Sequence, residues 1–292
     1  MAVENDRFTM TALQPISLTR TPATPRLERA RGTARVAMRA DGPVTRLRQN
    51  YQAGSAKVRF PRVTGSDPLE AVLLNTAGGV TGGDHLAYSV SVDEGARGIA
   101  TTQAAERIYR RSSGVARIDT TLSVDDGGTL EWLPQETILF DRSALARTLT
   151  ADVAPTARLL AVETILLGRA AMGETARDVA VTDSWRIRRG GTLVFADQLR
   201  LDGNAALTMA ASATGNGAAA LATLVLVAPD AEAALDTARA ALQDSVGEGG
   251  ASAWNGMMVA RLIAPTGQAL RADLVRLIEA IRGRPMPRVW NT

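Results

Sequence analysis

The sequence predicts a mainly β protein of many short strands, packed as a sandwich or as a stacked, coiled set of sheets, with a small α+β C-terminal part carrying two helices. Three observations lead there. Apolar and polar residues alternate over short runs, turns rich in Gly, Asp and Pro separate those runs at regular intervals, and helical spacing enters only near residue 228. This regularity argues against a parallel sheet interleaved with helices.

Residues 1–25 carry Pro15, Pro22 and Pro25 among polar side chains and are expected to form a flexible leader. One domain then spans 26–292, β-rich to about residue 228, with a helix-containing lobe over 229–292. Strands are expected at 34–38 and between 44 and 60, interrupted by Asp41-Gly42-Pro43 and Ala53-Gly54-Ser55. An apolar run next enters LLNTAGGVTGGD, residues 73–84, whose paired glycines Gly78-Gly79 and Gly82-Gly83 imply close backbone approach or positive φ. Beyond it, Leu86, Tyr88, Val90 and Val92 alternate with small or polar residues, and Asp93-Glu94-Gly95 turns the chain. Ile118, Thr120, Leu122 and Val124 repeat the pattern. The following Asp125-Asp126-Gly127-Gly128 predicts a hairpin with 129–133 as the partner strand.

Further strands are expected at 158–166, 183–188, 193–201 and 221–227. Pro229 and Asp230 open a helix with Ala231, Ala234, Leu235, Ala238 and Leu242 on one face. Residues 246–256 read as a flexible connection, 257–263 as a strand, and Leu270, Leu274, Leu277, Ile278 and Ile281 as the apolar face of a second helix that Gly283 ends. The helical tail is expected to share the main core.

Composition narrows the chemistry. With no cysteine there is no disulfide, thiolate nucleophile or zinc-thiolate site. The net charge is +3, Lys57 is the sole lysine, arginines alternate with acids and aromatics are few, so nucleic acid is not an expected partner. The basic stretch 26–48 reads as a solvated strand face. No run of 18 apolar residues occurs, and MAVENDRFTM lacks the order of a secretory signal; a soluble, cytoplasmic chain without membrane contact is expected.

The glycine-rich stretch invites a phosphate-loop reading, but it lacks the Gly-Lys-Ser/Thr of a Walker loop and the dinucleotide order G-x-G-x-x-G. His85 is the only histidine, so a hydrolase triad has one available base, and no G-x-S-x-G elbow occurs. Beside a glycine turn, such a histidine is more often structural or exposed than catalytic. A hydrolase built on Asp84 and a second carboxylate remains the alternative chemistry. One imidazole and no thiolate disfavour a tight transition-metal site, whereas Asp84, Glu131, Glu136, Asp141, Glu163, Glu174 and Asp197 could hold a divalent cation weakly and release it. In LEWLPQETILFD, residues 130–141, Gln135 and Glu136 lie among Trp132, Leu133, Ile138 and Phe140; this is either a corner around Pro134 or an interaction surface.

In order along the chain, LLNTAGGVTGGDHL (73–86), TTQAAERIYRR (101–111), LEWLPQETILFD (130–141), LLGRAAMGE (166–174) and MPRVWNT (286–292) resemble the urease accessory protein UreD family, called UreH in some lineages. The resemblance implies stacked β-sheets and a non-enzymatic chaperone. It would bind apo-urease with UreF and UreG, as a dimer of UreD–UreF complexes, and assist nickel insertion through an internal polar passage. It implies no tightly bound cofactor, only transient Ni2+. Matched residue by residue, Gly78, Gly79, Gly82, Gly83 and Asp84 form the glycine block, and Asp84, Glu163, Glu174 and Asp197 become the passage candidates. Trp132, Pro134, Gln135, Glu136 and Arg169 belong to motifs of structural type, and Tyr109, Arg288 and Trp290 are partner-interface candidates. Many relatives read P-G-A-S/T-K-F-Y where residues 103–109 here read QAAERIY, so Glu106 replaces the small hydroxyl.

Overall fold

The computed structural model describes residues 28–62 and 67–291; the leader expected over 1–25 lies outside the described residues. Within them the chain winds back and forth between two facing sheets. A hairpin of β1 (Arg31–Asp41) and β2 (Val44–Gly54) begins the first sheet, and β3 (Ala56–Arg59) pairs with β4 (Leu69–Asn75) to begin the second. The path then alternates. β5 (His85–Val92) joins the first sheet, β6 (Arg97–Thr102) and β7 (Glu106–Ile108) the second, and β8 (Ala116–Val124) the first. β9 (Thr129–Leu133) and β10 (Thr137–Leu139) return to the second, β11 (Ala144–Val153) to the first and β12 (Arg158–Leu167) to the second. β13 (Val179–Arg189) and β14 (Thr192–Gly203) end the first sheet as a hairpin. A short α1 (Ala205–Ala210) follows, and β15 (Ala220–Val227), α2 (Leu235–Leu242), the hairpin of β16 (Glu248–Trp254) with β17 (Met257–Ala264), and α3 (Gly267–Arg282) complete the chain.

Each coil therefore pairs in parallel with the coil before it: β1, β5, β8, β11 and β13 on one side, and β4, β6, β9 and β12 on the other. The mainly β, stacked-sheet expectation holds, but the predicted hairpin of 118–124 with 129–133 does not form. β8 and β9 lie in different sheets, and the Asp125–Gly128 turn carries the chain across between them. The physical reason lies in the corners, which stack on one another. Gly95 N donates to Asp126 O (3.0 Å), Gly127 N to Thr156 Oγ1 (2.9 Å), and Asp126 Oδ1 accepts from Thr156 Oγ1 (2.6 Å). Gly95 and Gly127 hold φ of +65° and +64°, so the turn residues have the dihedrals expected of them while their hydrogen bonds run to neighbouring coils.

Two apolar layers result. Inward residues of both sheets, among them Leu86, Val90, Leu122, Leu149, Leu159 and Trp185, form the inter-sheet core. The outer face of the second sheet buries a separate layer, Val162, Leu224, Leu226 and Met258 against Ala238, Leu270, Leu274 and Leu277 of the helices. The helices thus have a core of their own instead of sharing the main one. Thr266 caps α3 by accepting from Ala269 N (3.1 Å), and Gly283 ends it at φ +64°. Residues expected to be a flexible connection instead contain β16, and buried Asp273 of α3 accepts from Val246 N (3.2 Å) and Gly247 N (3.0 Å). Among the described residues no helix is long and apolar enough to cross a membrane.

The C-terminal tail closes the second layer. Trp290 is buried (4% exposed); its Nε1 donates to Leu133 O (3.1 Å) and Thr101 Oγ1 (3.3 Å), and the Arg271 guanidinium lies 4.6 Å from its ring centroid. Arg271 also donates to Gln135 Oε1 (2.7 Å), Glu136 Oε1 (2.7 Å) and Trp290 O (2.6 Å). The Pro134 corner therefore meets a partner from its own chain. Trp290→Ala is expected to lower stability by about 3–5 kcal/mol, the usual loss for a buried aromatic, measured as a shift of the urea unfolding midpoint.

Candidate functional site

Inward positions of the first sheet follow register across the coils: Leu86 neighbours Ile118, Ile118 neighbours Arg147, and Arg147 neighbours Asp183. An apolar column thus becomes an ionic one in the middle of the molecule. Arg147 is 3% exposed. Its Nε and Nη2 donate to the two oxygens of Asp183 (3.1 and 2.6 Å), and its Nη1 donates to Glu163 Oε2 (2.5 Å) and Thr137 Oγ1 (2.9 Å) of the opposite sheet. Trp132 Nε1 supplies the other Glu163 oxygen (3.0 Å). Burial works against the Arg147 cation, but Asp183 and Glu163 outweigh it and hold its pKa above the ordinary value. Glu163 is pushed up, first by burial and then by Asp183, with Arg147 opposing. It is thus a carboxyl that takes up a proton more readily than usual.

Cavities adjoin this triad on both sides. One, of about 240 Å³, lies against Arg147, Glu163 and Asp183 and reaches Asp197 of β14 and Arg261 of β17, which pair across the two sheets at 2.7 Å. A second, of about 30 Å³, also has Arg147 and Glu163 in its wall and extends past Trp132 and Gln135 to Tyr88, Thr102 and Glu106. A third, of about 150 Å³, shares those last three residues and ends at Gly78, Gly79 and Asn75. Three spaces with common walls therefore run from the first glycine pair to Asp197, with Arg147 and Glu163 between them.

The glycine block builds one end of this run. Gly79 has φ +146°, and a Cβ there would meet the Tyr109 ring at 2.4 Å and Arg107 O at 2.7 Å, so only glycine lets this loop seat on β7. Tyr109 OH donates to Gly78 O (3.0 Å). Asn75 Nδ2 donates to Glu106 Oε1 (2.9 Å) and Gly79 O (3.2 Å). Burial raises Glu106 to about 7, against the lowering effects of Asn75 and Arg107. Tyr88, whose hydroxyl burial and Glu106 push well upward, faces the same space.

Of the four passage candidates, Glu163 and Asp197 meet in one cavity. Asp84 and Glu174 lie elsewhere. Asp84 is buried, and its oxygens accept from Ala30 N and Thr81 N, both at 2.8 Å, which ties the second glycine pair to the start of β1. Glu174 forms a two-pronged pair with Arg169 (2.7 and 3.0 Å), which lies 4.3 Å from the Phe140 centroid. Of the partner-interface candidates, Arg288 is exposed, Tyr109 is partly buried against Phe140, and Trp290 is enclosed by its own chain. His85 Nε2 lies 2.8 Å from Asp119 Oδ2 on the outer face of the first sheet. Sequence reasoning missed Arg147 and Asp183 as site residues; the signal was a lone arginine at an inward position of an otherwise alternating ALARTLTADV. Among the described residues no three His, Asp or Glu side chains converge as a metal-binding group.

Fold and site together define a stacked-sheet protein with a buried ion-paired cluster between its two sheets. The profile described as UreD urease accessory protein matches residues 30–291, and the chain belongs to that family. It is 46% identical over 266 residues to the urease accessory protein UreD of Azorhizobium caulinodans, covering 91% of this chain and 98% of that one. It is 48% identical over 280 residues to the UreD of Methylobacterium sp. strain 4-46 (93% and 98% covered), and 46% identical over 275 residues to that of Rhizobium leguminosarum bv. viciae (94% and 100%).

Two outcomes follow from the electrostatics. Arg147→Met strands two carboxyl groups in the core and is expected to cost about 3–5 kcal/mol, while Arg147→Met with Glu163→Leu and Asp183→Leu recovers much of that loss; urea denaturation of both variants measures it. Glu106, held at about 7, contributes stability that is complete below its ordinary value of 4.5 and is lost as pH rises to 7. Glu106→Gln should therefore flatten the fall of the thermal midpoint across that interval and melt higher than the wild type at pH 8.

Proposed function

We propose that the chain is a non-catalytic cytoplasmic scaffold that binds apo-urease together with UreF and UreG, as a dimer of UreD–UreF complexes, and assists nickel insertion. The run of cavities between the sheets would be the ion's route. One observation carries the reading: three adjoining spaces share the walls Tyr88, Thr102 and Glu106 at one junction and Arg147 and Glu163 at the other. Oxygen donors spaced along such a route, without a convergent set, give weak and exchangeable contacts, as a carrier of Ni2+ requires. Arg147 sits where the ion would pass, so passage requires the guanidinium to swing aside and expose Glu163 and Asp183.

The carboxylate-pair hydrolase is less well supported. Asp84, its first acid, has both oxygens engaged by backbone N–H groups, and Glu163 and Asp183 are bridged by a cation instead of facing a free cleft.

Asp197→Ala and Glu106→Gln are expected to lower nickel-dependent urease activation several-fold while the variants still co-purify with UreF and apo-urease. Loss of activation in proportion to lost assembly would make both residues structural. A folded wild-type chain that captures neither partner would refute the scaffold reading itself.

A further inference from the structure

The second glycine pair does not serve the cavity run. Beyond it, Arg29, Arg110, Arg111 and Arg142 wall a surface pocket of about 370 Å³ together with Thr81 and Ser112, and no carboxylate contributes to that wall. We propose that this pocket docks an acidic segment of a protein partner through its carboxylate side chains. The site goes beyond the passage and shares no wall residue with it.

The pocket is held open by its backbone. A Cβ on Gly82 would meet Ser113 O at 2.2 Å and Gly114 O at 2.7 Å, and one on Gly83 would meet Arg29 Nε at 3.0 Å, so the glycines bring the 110–115 loop and Arg29 together. Thr81 Oγ1 donates to Arg110 O (2.9 Å), and Arg111 N donates to Arg142 O (2.9 Å). Arg142 has φ +61°, a left-handed conformation that costs a side-chain-bearing residue energy and that glycine fills more easily. That an arginine stands there places a guanidinium at the pocket against the local backbone preference.

None of the four guanidinium groups forms an ion pair among the described residues; Arg111 reaches only Gly114 O (3.4 Å). The neighbouring acid, Asp141, accepts from Arg177 N (2.8 Å) and Asp178 N (2.9 Å); it lies close enough to Arg142 for the two charges to attract but forms no ion pair with it. Four like charges around a wall without a carboxylate, with Asp141 alone nearby, repel, and an incoming anion relieves that repulsion. Planar guanidinium forks suit carboxylates and phosphates alike. Two features favour a carboxylate-bearing segment over a single phosphate ion. Backbone donors beside the pocket are already used, Gly83 N by Val115 O and Asp84 N by Thr81 O, so these amides cannot form an anion-binding nest. Three of the four arginines are exposed, and Val115 on the same loop is 40% exposed, which offers a partner chain apolar contact as well as charge.

The test is fluorescence anisotropy of a fluorescein-labelled hexaglutamate peptide titrated with the full chain at low ionic strength. Arg110→Ala with Arg142→Ala should weaken binding about tenfold, while Arg188→Ala with Arg200→Ala, which removes the same charge from exposed sites elsewhere, changes it less than about twofold. Arg142→Gly separates recognition from folding: it should weaken the peptide without lowering the thermal midpoint. Equal weakening by the two double variants, or no peptide binding by the wild type, would overturn the proposal. Displacement by inorganic phosphate well below the sodium chloride of equal ionic strength would overturn it in favour of a small-anion site.

Discussion

A guanidinium buried between two sheets is the constraint on which the rest of this structure depends. Removing Arg147 from water costs several kcal/mol, and the cost is met only because two carboxyl groups and a threonine converge on it from opposite sides. Asp183 comes from the adjacent strand of its own sheet, whereas Glu163 and Thr137 come from the facing sheet. The ion network therefore specifies both the register of β11 on β13 and the rise of the first sheet relative to the second. A one-residue slip would turn Arg147 outward and leave Asp183 without its counter-ion.

The coiled path makes that convergence available. Because the strands of each coil go to different sheets, residues 16 and 36 positions from Arg147 become its neighbours, and inward columns continue through successive coils. The stacked corners at Asp93–Gly95, Asp125–Gly128 and Ala154–Ala157 hold the coils in step. On the far side of the second sheet, the helices and Trp290 bury a separate apolar layer behind Glu163 and Trp132. The interior can thus carry polar space without losing the packing on either side of it.

The two glycine pairs divide the labour at one end of the stack. Gly78 and Gly79 seat their loop against Tyr109 and Arg107 at the mouth of the cavity run, beside Glu106. Gly82 and Gly83 allow the arginine-bearing loops to close together on the other side, and Asp84 fastens the turn to β1. A stretch that reads as one motif is therefore two structural devices, one facing the cavity run and the other the arginine-walled pocket.

What the sequence by itself determined was the local layer: short alternating strands, positive-φ turns, a late helical tail, and an ordered set of motifs. Those depend on side-chain period and backbone permissiveness, which residues a few positions apart decide. Alanine, threonine and Arg147 blur the apolar period of β6 and β11, and the dihedrals of the DDGG turn do not say which strand its neighbour will pair with. Glu163 and Asp197 could be singled out as carboxylates, but their meeting in one cavity, the role of Asp84 as a backbone anchor and the enclosure of Trp290 were decided only in three dimensions. Those outcomes rest on contacts between residues tens to hundreds of positions apart, such as Trp290 with Thr101 and Arg271 with Gln135. Such contacts depend on which coil stacks on which, and no local pattern records that.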